Sequence, residues 1–101
     1  MAQVKNDYPV WKITEVIKYL YVGYLTNLVK DIDKQYESEV LLFGKDEAKR
    51  KTPEDCVKQA NFEVKRDIIP YISSWTTDEI LAVARVCKVE GHIKKILEKD
   101  I

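Results

Sequence analysis

Few residues of this chain have types that could do chemistry, and they are scattered. His92 is the one histidine; Cys56 and Cys87 are the two cysteines. A cysteine beside a histidine is the minimum for nucleophilic catalysis, because the imidazole can take the thiol proton. Neither cysteine sits in a glycine-rich elbow or a family signature. Both fall on apolar helix positions, where cysteine serves as a small hydrophobe. His92 lies near a helix start and reads as a solvated side chain. This set cannot furnish a standard structural zinc site without carboxylates. Asp31, Asp33 and Glu37 cluster, but they lack the glycine and the oxygen-ligand spacing of a calcium loop, so they read as a wet helix face. Gly44-Lys45 has no upstream glycine and makes no phosphate loop. The expectation is a protein without catalytic residues, metal or cofactor, and without a small-molecule substrate.

Nucleic-acid binding is the more serious chemistry. Residues 76–101 can be read as a helix–turn–helix: a capped helix, a turn around Lys88–Gly91, then a second helix. Lys88, His92, Lys94 and Lys95 would face the nucleic acid, since a recognition helix reads bases near its N-terminal end while lysines hold phosphates. Ala84 supplies the small residue such a pair needs. Against this, Val89 to Ile93 is one residue shorter than the usual spacing, and Glu90 and Glu98 dilute the charge. Lys45, Lys49, Arg50 and Lys51 form a second basic spot. Lys+Arg and Asp+Glu balance at 17 each, so no global field draws in a polyanion.

The elements that must position these residues are helical. Over Pro9–Phe43, Ile13, Ile17, Leu20, Tyr24, Leu28 and Ile32 recur at steps of three or four, the mark of an amphipathic helix. Pro9 suits the first turn, and Asn6 or Asp7 is placed to cap it. Past Asp33 the apolar positions Tyr36, Val40 and Phe43 define a face rotated by roughly 100° from the first. The helix therefore either breaks near Asp33–Gln35 or continues and packs against something else, and a continuous, kinked helix to Phe43 is the favoured expectation. Gly44 suits its end. Gly23 falls on the polar side, where it marks either a close approach, a bend or a tolerated glycine. Tyr19 falls among Lys12, Glu15, Thr26 and Lys30, and Val22 lies at the edge of the stripe near Trp11. The segment Tyr19–Leu25 is thus apolar almost all round, and such a helix needs cover on every side. Trp11, Tyr19 and Val22 are the expected protein interface.

The remainder is punctuated clearly. Residues 1–8 are polar and expected to be partly disordered. Gly44–Thr52 is a charged, solvated connector. Thr52-Pro-Glu-Asp55 starts a helix at Pro53, with Cys56 or Val57, Ala60, Val64 and Ile68 on one face and an end or kink at Pro70. Thr76 and Glu79 form a capping box, with Trp75 and Ile80 as its hydrophobic staple. A helix follows through Cys87, and His92–Lys99 reads as a last one.

The chain, residues 1–101, reads as a single all-α domain: a small helical bundle of about four helices built on a long N-terminal one. Hydrophobic content of 46% against 34% charged is that of an ordinary soluble globular protein. Unpaired cysteines and the lack of a secretory leader or spanning segment suggest a reducing, cytoplasmic setting with no membrane contact. Abundant Lys, Glu and Ile with few Gln and Met give a thermophile-like composition. The favoured function is a non-catalytic interaction module or accessory subunit that pairs with itself as a homodimer, or with another protein, through the long helix. The alternative is a small DNA-binding protein.

Overall fold

Two threonines set where helices begin. Thr52 Oγ1 accepts the Asp55 amide at 3.2 Å and the Asp55 carboxylate accepts the Thr52 amide at 3.0 Å. Thr76 and Glu79 repeat the same reciprocal bonding. These boxes satisfy amides that the first turn of a helix leaves unpaired. The computed structural model describes residues 6–99, so the polar start at 1–5 lies outside the described residues. Among the described residues the secondary structure is entirely helical: α1 (Val10–Lys30), α2 (Ile32–Phe43), α3 (Pro53–Asp67), α4 (Thr77–Val86) and α5 (Glu90–Glu98), with a short 3-10 turn at Ile72–Ser74.

Several local expectations shift. The long N-terminal element is two helices, broken at Asp31, whose φ of −91° and ψ of 0° leave helical geometry. The break lies where the apolar face changes direction. Pro9 is the N-cap of α1 and makes no side-chain cap. Asn6 does not cap either. Its amide donates instead to the carbonyls of Ile72, Ser73 and Trp75, the shortest at 2.8 Å. With the Tyr8 hydroxyl 2.7 Å from Thr77 Oγ1, this ties residues 6–8 to the body of the protein. Before Pro70, α3 stops at Asp67, and Ile72 lies in the separate 3-10 turn. The last helix starts two residues earlier than expected, at Glu90, after a turn in which Lys88 adopts φ of 62°.

The core joins Val16 and Leu20 of α1, Ile72, then Ile80, Ala84 and Cys87, and finally Ile93, Ile96 and Leu97 of α5. Along another side of α1 runs α3, which buries Cys56, Ala60 and Val64. The fully buried side of α1 is Lys12, Val16, Leu20 and Gly23. That is roughly a quarter-turn away from the face centred on Ile17 and Tyr24 that the spacing predicts, at about 100° per residue. Ile13, Ile17 and Tyr24 are half-buried.

Gly23 explains the rotation. A Cβ there would lie 2.5 Å from the Cys87 carbonyl oxygen and 2.8 Å from Val89 Cγ1. The turn between α4 and α5 sits directly on the backbone of α1. With α5 on that side, Lys12 is covered as well. Its Nζ donates to the Leu97 carbonyl at 3.1 Å, with the rings of Tyr8 and Trp11 each 5.7 Å away. A buried ammonium needs compensation. Here a carbonyl near the negative end of a helix dipole and two aromatic faces provide it.

The two helical glycines should therefore respond oppositely. Gly23→Ala forces the backbone of the α4–α5 turn to move, and should cost about 1–3 kcal/mol of overpacking despite better helix propensity. Gly91→Ala meets no atom within 4 Å and should stabilise by roughly 0.5–1 kcal/mol. Urea denaturation of both variants checks the sign. Lys12→Met keeps the stem but leaves the Leu97 carbonyl unpaired. It should cost about 1–3 kcal/mol in the same measurement; an unchanged midpoint would mean that this contact contributes nothing.

Candidate functional site

Exposure of α2 is extreme for a helix this apolar at its end. After Ile32, no residue of α2 is buried. Its main helix contact is with α1, its neighbour in sequence. The charged connector folds back beside it: Arg50 donates to Asp33 at 2.8 Å and the Lys49 amide reaches the Glu39 carboxylate at 3.4 Å. An ion pair this exposed holds little. The molecule is accordingly drawn out to 53 × 30 × 21 Å with a radius of gyration of 16.4 Å, against about 13 Å for a compact chain of this length.

At the tip of this arm Leu41, Leu42 and Phe43 are 86%, 76% and 65% exposed. Val40 and Tyr36 are half-buried, and with Leu41 they line a shallow apolar groove that runs to Lys45. Four consecutive helical residues point in four directions, so Val40–Phe43 makes the helix end apolar all round. Three consecutive exposed apolar residues are unusual on a solvated surface that serves no contact. Gly44, at φ of 86°, ends the helix in a conformation that side chains disfavour.

The expected interface residues lie elsewhere. Trp11, Tyr19 and Val22 are all exposed on α1. They do not form one patch. Trp11 and Val22 are separated by about 16 Å along the axis at the helical rise. Between them lies the Glu15–Lys18 pair, at 3.7 Å. Tyr19 is stacked on the His92 ring, 5.4 Å between centroids and 13° from parallel. The structure thus brings together one residue from each expected site, and in doing so turns His92 towards α1. Lys88, in the turn, and Lys94 and Lys95, on α5, are exposed. Glu90 stands at the start of α5 and takes two bonds from Arg85, at 3.0 and 3.1 Å. Those bonds hold its carboxyl below the usual range and occupy the Arg85 guanidinium at the start of α5.

The cysteines are free and buried. Burial pushes the Cys87 thiol up, away from the thiolate that a nucleophile requires. Among the described residues no group of three or more His, Cys, Asp or Glu is placed to hold a metal ion, and no helix is long and apolar enough to cross a membrane. Comparison with protein-family models, curated proteins and solved structures finds no match to this chain.

Leu41 and Leu42 lie off the helical spacing of Tyr36, Val40 and Phe43, so that spacing alone does not single them out. The signal that would have found them is the unbroken apolar run Val40–Phe43, set directly before a charged connector.

Proposed function

We propose that the protein is a non-catalytic interaction module. It would be one domain, a small bundle of α1, α3, α4 and α5 carrying α2 as a projecting arm. The observation that carries the reading is the apolar tip of that arm, Leu41–Phe43, which no other described residue shelters. The first partner to test is a second copy, through the Pro9–Phe43 stretch. Magnitudes set the strength of such pairing. Burying the three side chains on each of two copies contributes about 9–18 kcal/mol, and association costs roughly 4–15 kcal/mol in lost freedom. The two ranges overlap, so the tip alone leaves little surplus for pairing. Recruiting Tyr36 and Val40, or the exposed Trp11 and Val22 of α1, would strengthen it.

Light scattering over a dilution series should show the mass of the native chain rising with concentration. Leu41→Lys combined with Leu42→Lys should hold it at monomer mass. Because these side chains bury almost nothing in the monomer, the double variant should keep its stability within about 0.5 kcal/mol. A native chain that stays monomeric throughout removes self-association as the function.

DNA binding through α4 and α5 has narrower support, namely the exposed Lys88, Lys94 and Lys95. Its expected signature is a gel shift at low salt that fades steeply as salt rises, since phosphate contacts release counterions. No shift at low salt disposes of it.

A further inference from the structure

Tyr36, Val40 and Leu41 line the apolar groove on α2, and Glu37 and Lys45 are its charged residues. We propose that this groove pairs antiparallel with the same groove of a second copy, about a two-fold axis near Leu41, so that Glu37 of each chain meets the partner's Lys45. This rests on the self-pairing proposed above and fixes its geometry.

Glu37 and Lys45 flank Leu41, four residues before it and four after. A two-fold axis across a pair of helices matches each position with the one equally far on the other side of the axis. Placed at Leu41, the axis joins Glu37 to the partner's Lys45 twice over. It also brings Tyr36 and Val40 of both copies into the contact. Parallel arms in register would instead set Glu37 against Glu37 and Lys45 against Lys45. Neighbouring charges are engaged within the chain: Asp33 accepts from Arg50 at 2.8 Å, and the Glu39 carboxylate from the Lys49 amide at 3.4 Å. Glu37 and Lys45 are exposed, and neither side chain has an ion pair or hydrogen bond with another described residue.

The attachment of the arm favours the same direction. Ile32, at the start of α2, is the one buried residue of that helix, and α1 is its main helix contact. Packed helices lie about 8–10 Å apart. Parallel arms at that spacing bring the two bodies to the same end of the pair, whereas antiparallel arms keep them at opposite ends. Exposed ion pairs add little affinity. Their part here is to select the orientation, while the apolar side chains supply the attraction.

The test is light scattering of the full chain over a dilution series at low ionic strength, where exposed charges are least screened. Glu37→Lys and Lys45→Glu should each weaken self-association about tenfold, because each turns two attractions into two repulsions. An equimolar mixture of the two variants should recover the native affinity, since the mixed pair has an opposite charge at both contacts. Both positions are exposed, so both variants should keep native circular dichroism. A native chain that associates while either single variant pairs as tightly overturns the antiparallel geometry and leaves self-pairing standing. A mixture that stays as weak as the single variants, or binds more tightly than the native chain as parallel arms would, does the same. A native chain that remains monomeric overturns both.

Discussion

The whole arrangement depends on the contact between the backbone of Gly23 and the Cys87 carbonyl. Helix α1 lies beside α5 only because residue 23 has no side chain to hold the α4–α5 turn away. Close packing of a turn on a helix leaves no room for even one methyl group. Once the turn is seated, other features follow. Val16 and Leu20 face Ile93 and Ile96 in one core. Lys12 is carried under the end of α5, where the Leu97 carbonyl receives it. Tyr19 is brought against His92. A glycine that lowers helix propensity thus organises the tertiary structure.

Helix existence was legible in the sequence, and helix surroundings were not. The capping boxes at Thr52 and Thr76 are local chemistry, complete within four residues, and both starts were readable from the residues alone. The same holds for Ala60 and Val64, whose four-residue spacing predicts the buried face of α3, and the structure decides the choice between Cys56 and Val57 by burying Cys56. On α1 the spacing points to a different face from the one that is buried. Apolar residues cover more than half of that helix, so the wheel identifies a broad stripe but not which edge a neighbour will choose. Lys12 looked wet because lysine usually is, and nothing local says that a carbonyl and two rings will enclose it. The break at Asp31 has no proline or glycine to announce it, only the change in apolar direction.

The same limits governed the surface. Trp11, Tyr19 and Val22 stood out because they sat where polar residues belong. That argument depends on knowing the polar side, and α5 occupies part of it. Leu41, Leu42 and Phe43 stand at the end of α2, a helix in which no residue after Ile32 is buried.

One consequence concerns the order of assembly. The bond from Lys12 to Leu97 joins positions 85 apart, and that from Asn6 to Trp75 joins positions 69 apart. Contacts so distant along the chain must wait for the intervening polypeptide to be ordered, which slows folding. During synthesis α1 emerges well before α5, so its greasy side stays uncovered until α5 arrives. A nascent chain of this design is vulnerable to stray association in that interval.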